Sequence, residues 1–185
     1  MVNLICLDLE GVLVPEIWIS VAKSTGIREL ERTTRDEPDY GKLMRYRLDI
    51  LNEKNVTLPD IQQVITTMAP LSGAAEFLHD LRERWQVIIL SDTFEQFARP
   101  LMKMLDWPTL FCNSLVVEED GRVVDYVQRL ENGKRETVRA LSTAALRIAA
   151  VGDSYNDLGM IDVADYGILF RPPESIRTER PELTI

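Results

Sequence analysis

Asn3-Leu4-Ile5-Cys6-Leu7-Asp8-Leu9-Glu10-Gly11 begins as an apolar run and ends on two carboxylates and a glycine. Such a run is too short for an amphipathic helix and reads as a strand buried on both faces. Gln86 to Leu90 leads in the same way into Ser91-Asp92-Thr93, and Arg147 to Val151 leads into Gly152-Asp153-Ser154-Tyr155-Asn156-Asp157. Tyr166 to Phe170 is a fourth apolar run. Helix-period segments at 73–84, 94–105, 134–143 and 155–163 alternate with these runs, the pattern of a doubly wound parallel α/β sheet. Ligands in such open sheets bind beyond the carboxyl ends of the strands, so Asp8, Ser91 and Asp153 are expected to converge.

The alternation breaks between Glu16 and about Met68, where helical segments near 16–24, 38–53 and 58–68 occur without a strand. The expected organisation is therefore a Rossmann-like core of residues 1–14 and 74–185, with an inserted helical cap over 15–73. Pro15 and Pro70-Leu71-Ser72-Gly73 would be its hinges. Between Ser114 and Val127 two β-rich runs flank Glu119-Asp120-Gly121-Arg122, which predicts an antiparallel hairpin at a sheet edge.

A chain of 185 residues with 45% hydrophobic content can bury one substantial core. Thirty acidic against 21 basic residues, a net charge of -9, argue against nucleic-acid binding, which depends on clustered Lys and Arg. Cys6 and Cys112 lack metal-ligand or CxxC spacing and fit reduced thiols in the cytoplasm. Asp8 and Glu10 interrupt the apolar N-terminus where a signal peptide needs continuity, and no segment approaches the length of a membrane span.

Chemistry follows from the strand ends. Asp8 is placed to attack phosphorus and form an aspartyl-phosphate. Glu10, two residues on, points to the same side of an extended chain and would protonate the leaving oxygen, then deprotonate the attacking water or alcohol. That role needs a raised pKa, which a neighbouring carboxylate and phosphate favour. A phosphate dianion beside Asp8 and Asp153 calls for a divalent cation, and oxygen ligands favour Mg2+. Asp153 is the better second ligand. Asp157, one helical turn later, would be a direct ligand or a group that orients the ligands. Ser91 offers a hydroxyl and following N–H groups to phosphate, while Gly11 would let the backbone approach it. Lys134, at the start of a helix where a cation opposes the dipole, makes sense if it reaches an anion.

Winding Tyr40 to Leu51 as a helix puts Tyr40, Leu43, Met44 and Leu51 on one stripe, with Arg47 near its centre. The guanidinium would pair with a protein acid, extend outwards or bind a substrate carboxylate. Glu16 would complement an ammonium group or serve as a solvated acid at a helix start. His79, the sole histidine, is expected to be structural.

These four signatures, Asp8-Leu9-Glu10-Gly11, Ser91-Asp92-Thr93, Lys134 and Gly152 to Asp157, together with the helical insertion, resemble the haloacid dehalogenase-like phosphohydrolases. Cys6 to Glu16, Leu90 to Phe94 and Gly152 to Asp157 are most similar to the bifunctional phosphoserine phosphatase/homoserine phosphotransferase subgroup, and Glu10, where most of the superfamily has Asp, agrees with it. The resemblance implies Asp8 as nucleophile and Glu10 as acid/base. It also implies Mg2+ held by Asp8, the Glu10 main-chain carbonyl and Asp153, and substrate contacts from Glu16, Arg47, Ser91, Asp92, Lys134 and Asn156. A further helix beyond the last strand is also implied, and the chain, stopping at Glu182-Leu183-Thr184-Ile185, is expected to lack it.

The expected activity is Mg2+-dependent hydrolysis of phosphoserine, with homoserine as a possible second acceptor. The alternatives are a phosphatase for another small carboxylate-bearing phosphomonoester, and a receiver-type signalling domain that holds its phospho-Asp without turnover. The oligomeric state is open, a homodimer being one option.

Overall fold

The protein is described by a computed structural model over residues 2–34, 36–37, 39–144 and 146–185. Strand β1 (Leu4–Leu7) is followed by α1 (Ile17–Thr25), a 3-10 turn at Arg28–Glu31, α2 (Tyr40–Glu53), α3 (Leu58–Ile65) and α4 (Ala74–Arg82). Next come β2 (Gln86–Phe94), α5 (Glu95–Met104), β3 (Thr109–Val117), β4 (Val123–Val127), α6 (Gly133–Ser142) and β5 (Ile148–Gly152). A 3-10 turn at Tyr155–Asp157, α7 (Leu158–Val163), β6 (Tyr166–Leu169) and α8 (Glu174–Glu179) complete the chain.

One sheet runs in the order β4-β3-β2-β1-β5-β6, parallel throughout except for the β3–β4 pair. Continuous apolar strands form here because both faces are covered. Ile5 and Leu7 of β1 pack into the cluster shared with α1 to α5, while Leu4 and Cys6 pack with Val138, Met160, Ile161 and Ile176 from α6, α7 and α8. Burying each such side chain contributes roughly 1.5–3 kcal/mol. Strand order reverses at β1, with β2 on one side and β5 on the other, so the crevice at the ends of β1 and β5 is the switch point where such sheets bind ligands. Leu7 pairs with Ile89 and Val151, which brings the segments after all three strands to one edge.

Residues 9–14 after β1 fold into a compact turn, closed by the Gly11 N–H donating to the Val14 carbonyl at 2.8 Å. The return path lies beside it, since Leu71 N–H donates to the Leu13 carbonyl at 2.9 Å. The two expected hinge segments therefore run together. Thr57 and Asp60 start α3 with a capping box, with Pro59 inside the first turn.

Several expectations are corrected. Strand β2 extends through Phe94, where the start of a helix was expected, and β3 begins at Thr109, well before the hairpin. The hairpin is antiparallel and at the sheet edge, as expected, and it is also tied to α2 and α3: the Gly121 carbonyl accepts from Leu58 N–H at 2.8 Å, and Arg45 pairs with Asp125 at 3.4 Å. The segment 155–163 opens as a 3-10 turn because Ser154 and Asp157 cap each other's backbone before α7 begins. A short helix, α8, does follow the last strand, and Thr184 pairs with Ile168 beyond it. Cys112 is half-buried, whereas Cys6 is fully buried; both are free thiols. His79 is exposed beside Glu83, 3.6 Å away. Among the described residues no helix is long and apolar enough to cross a membrane.

Candidate active site

Asp8, Glu10, Glu16, Arg47, Ser91, Asp92, Lys134, Asp153 and Asn156 all line one cavity of about 300 Å³ at the carboxyl edge of the sheet. Residues from β1, α1, α2, β2, α6 and the turn after β5 meet there. Asp157 lies beneath it, fully buried.

Lys134 organises the floor. Its Nζ donates to Asp8 Oδ1 at 2.8 Å and to Asp157 Oδ1 at 2.7 Å, and lies 3.7 Å from Asp92 Oδ2. Burial works against the ammonium charge, but Asp157, Asp8 and Asp92 outweigh it and hold the lysine protonated. The helix dipole that a cation opposes at this position is thereby answered by carboxylates. Asp8 is pushed up by burial first and by the Asp157 charge second, with Lys134 opposing both. One cation faces several acids, and the imbalance favours a further positive ion.

Asp8, Asp153 and Asp157 each present a carboxylate oxygen within 4.8 Å of the others. Asp157 is already committed: Oδ1 accepts from Lys134, and Oδ2 accepts from the N–H groups of Asp153 at 3.0 Å and Ser154 at 3.1 Å. It therefore orients the Asp153 turn, leaving Asp8 and Asp153 as the donors facing the cavity. Hard carboxylate oxygens in an acidic cluster fit Mg2+. Gly11 has φ +81°, and a Cβ there would lie 2.4 Å from Asp153 Oδ2. The glycine thus admits the Asp153 carboxylate as well as the left-handed turn, a requirement additional to the expected close approach of the backbone to phosphate.

Glu10 and Arg47 form the opposite wall. The Glu10 Oε2 accepts from Ile17 N–H at 2.7 Å, at the start of α1. Its carboxyl is pushed up to about 7, by burial first and by Glu16 second, while the Ile17 N–H, the Thr93 hydroxyl and Arg47 act in the opposite sense. A carboxyl with that pKa can both donate and accept a proton near neutrality. Arg47 is 7% exposed as a residue; its guanidinium donates from Nη2 to the Arg32 carbonyl at 2.8 Å and lies 4.7 Å from the Trp18 ring centroid. Its Nε is buried without a hydrogen-bond partner, and among the described residues no carboxylate lies within ion-pair distance. Of the three expectations for Arg47, extending outwards fails, and a direct ion pair with a protein acid is not formed among the described residues, although the Glu10 and Glu16 charges act on the guanidinium.

Two contributors gave no signal in the sequence pattern: Trp18 supports Arg47, and Asn113 reaches the Asp92 carbonyl at 3.0 Å from the neighbouring strand. Thr93 stood inside the second signature without a role, and it hydrogen-bonds Glu10.

Residues 2–165 match the haloacid dehalogenase-like hydrolase family. The chain belongs to the haloacid dehalogenase-like hydrolases. The receiver-type alternative falls with that match, since a hydrolase turns its substrate over. Within the haloacid dehalogenase-like hydrolases the chain is 54% identical over 181 residues to a phosphoserine phosphatase of Pseudomonas syringae pv. tomato, covering 98% of this chain and 76% of that protein. It is also 54% identical over 177 residues to phosphoserine phosphatase ThrH of Pseudomonas aeruginosa, covering 96% and 86%. Among solved structures, phosphoserine phosphatase in its apo form superposes with a TM-score of 0.81 at 24% identity, covering 100% of this chain and 94% of that one. A phospho-aspartyl intermediate analogue of phosphoserine phosphatase gives 0.82 at 23% identity, covering 100% and 93%.

For this hydrolase the raised Glu10 pKa has a consequence for stability. A carboxyl that ionises at about 7 when folded, against 4.5 ordinarily, binds its proton more tightly in the folded state. Stability is unaffected below the ordinary value, falls as pH rises between the two, and carries the full cost of about 3 kcal/mol above the folded one. Glu10→Gln is expected to remove that decline. Urea titrations of metal-free protein from pH 4 to 8 measure it, and parallel profiles for the two proteins would refute the assignment.

Proposed function

We propose that the chain is a Mg2+-dependent phosphoserine phosphatase working through an aspartyl-phosphate on Asp8, with homoserine able to replace water as acceptor. The carrying observation is a single cavity with two unlike ends: the buried Asp8–Lys134 pair at one, and the buried Arg47 guanidinium, its Nε without a hydrogen-bond partner, at the other. A phosphomonoester whose other end is an amino acid matches both. The similarity to two phosphoserine phosphatases at 54% identity supports this reading.

Asp8 attacks phosphorus as the bond from phosphorus to the serine oxygen breaks, and the Glu10 carboxyl gives its proton to that oxygen. Glu10, now a carboxylate, takes a proton from water, or from the hydroxyl of homoserine, as its oxygen attacks phosphorus and the bond to Asp8 breaks. The products are free phosphate or phosphohomoserine, with Asp8 and Glu10 restored. Asp8, the Glu10 main-chain carbonyl and Asp153 would hold Mg2+, which when bound offsets the negative charge at the phosphoryl group. Lys134, the Ser91 hydroxyl and the N–H groups after it grip phosphate oxygens, with Asp92 and Asn156, hydrogen-bonded to each other at 2.9 Å, at the rim. Arg47 takes the substrate carboxylate and Glu16 its ammonium group. Residues 15–73 act as the cap, excluding bulk water so that the acceptor is chosen inside the cavity. We place the enzyme in the cytoplasm, acting on small molecules without nucleic acid or membrane.

Incubation with phosphoserine and Mg2+, with and without homoserine, tests this through serine, phosphate and phosphohomoserine. Absence of phosphoserine turnover above background would sink it. In the same assay Arg47→Ala is expected to lower kcat/KM for phosphoserine by about 100-fold, because a charge-assisted pair is lost. Turnover of p-nitrophenyl phosphate, which lacks the amino-acid end, should change only a few-fold. Equal losses on both substrates would mean that Arg47 serves the phosphoryl end.

A further inference from the structure

The phosphate-binding turn is a bulge in the sheet. Leu90 of β2 pairs with Phe111 of β3, and the next pair is Phe94 with Asn113, so four steps on β2 pass against two on β3. Ser91, Asp92 and Thr93 are lifted out of the ladder, and their carbonyls need other partners.

The Asp92 carbonyl has two. Tyr40 Oη donates to it at 3.0 Å, and Asn113 Nδ2 donates to it at 3.0 Å. Asn113 Nδ2 also lies 3.3 Å from Tyr40 Oη, which is free to accept because its proton points to Asp92. The amide orientation of Asn113 is set independently, since Oδ1 accepts from Arg129 N–H at 3.0 Å, leaving only Nδ2 for Asp92. Asn113 sits in the middle of β3 and is 5% exposed, and a buried amide there has to be hydrogen-bonded.

The two partners come from different parts of the molecule. Asn113 belongs to strand β3 of the sheet. Tyr40 is the first residue of α2, in the segment between β1 and β2, and its ring packs edge-on against Tyr126 at 5.8 Å. Burial and then the Asp92 charge hold the Tyr40 hydroxyl protonated, so it acts as a donor at any ordinary pH. Turning the Asp92 peptide would shift Ser91 Oγ, which accepts from Thr93 N–H at 3.2 Å, and the Asp92 carboxylate, which accepts from Asn156. Both line the cavity.

We propose that Asn113 and Tyr40 are positioning residues for the phosphate-binding turn, Asn113 holding the Asp92 peptide throughout and Tyr40 adding its bond only when α2 is closed over the core. The proposal rests on the phosphoryl-site reading above, but not on the identity of the substrate's other end. Phosphate affinity and closure are then coupled, and by linkage each strengthens the other by the same factor. A hydrogen bond of ordinary net strength makes that factor roughly 2- to 12-fold.

Calorimetric titration of inorganic phosphate into the full chain with Mg2+, paired with hydrogen exchange over α2, tests the coupling. Tyr40→Phe keeps the ring contact and is expected to weaken phosphate roughly 3- to 10-fold and to reduce the protection of α2 that phosphate confers. Asn113→Asp keeps the acceptor for Arg129 N–H but turns a second acceptor towards the Asp92 carbonyl, and should weaken phosphate at least as much. The double variant should lose less than the product of the single losses, because both groups act on one carbonyl. A purely structural role would lower the unfolding midpoint and leave phosphate affinity of the folded protein unchanged. That outcome, with phosphate-induced protection also unchanged in Tyr40→Phe, overturns the proposal. Failure of the unaltered protein to bind phosphate overturns the phosphoryl-site reading itself.

Discussion

Asp8→Asn is expected to reduce phosphoserine turnover by roughly 10³-fold or more, since an amide oxygen is a poor nucleophile and covalent catalysis has no second route here. The variant should nevertheless fold. Asn keeps the shape of Asp and still offers an oxygen to Lys134 Nζ, now 2.8 Å from Asp8 Oδ1. It also removes one of the charges that burial and Asp157 already oppose at this position. Thermal unfolding unchanged or raised, together with lost turnover, would separate chemistry from folding. Acid-quenched unaltered enzyme should carry a phosphoryl group on the peptide containing Asp8, and the variant should not. Near-normal turnover in Asp8→Asn would refute a covalent aspartyl-phosphate.

Most of the fold was legible because apolar runs at strand length carry their own boundaries. Asp8, Ser91 and Asp153 each follow such a run, and parallel register brings them to one edge without further information. Arg47 was legible as an anomaly, a guanidinium in an apolar stripe, although the sequence left pairing with an acid and extension outwards open beside a substrate carboxylate. What the sequence did not carry were contacts between elements far apart in the chain. Tyr40 read as one more apolar position, because nothing local says that its hydroxyl meets a carbonyl 52 residues away. Asn113 was hidden inside a strand whose first half lacked a recognisable boundary, and nothing local to Trp18 says that Arg47 lies over its ring. Asp157 presented a related ambiguity. Its spacing allowed a ligand role, and only the positions of Lys134 and two N–H groups showed both oxygens to be taken.

Those commitments make Lys134 the residue whose loss should be felt by folding and catalysis together. Lys134→Met preserves most of the length and apolar stem but removes the cation between Asp8 and Asp157, which are 4% and 0% exposed. Breaking a buried pair by deleting one partner costs about 3–5 kcal/mol, because the remaining charge is left without compensation. The sign of its pH dependence follows from the carboxyls. Asp8 is already pushed up by burial and by the Asp157 charge, with Lys134 opposing both. With the lysine gone its carboxyl ionises at still higher pH than in the unfolded chain, so the deficit is largest above that raised value and shrinks as the proton returns on acidification. Urea titrations at pH 8 and pH 5 should therefore show a large deficit at the first and a smaller one at the second. Turnover should fall by roughly 10²- to 10³-fold even where the variant is folded, the usual effect of deleting one preorganised donor from a developing negative charge. A variant within about 1 kcal/mol of the unaltered protein at pH 8 would contradict the uncompensated-charge argument. Stability lost with turnover intact would instead leave Lys134 a structural ion, and the grip on phosphate would fall to Ser91 and the N–H groups that follow it.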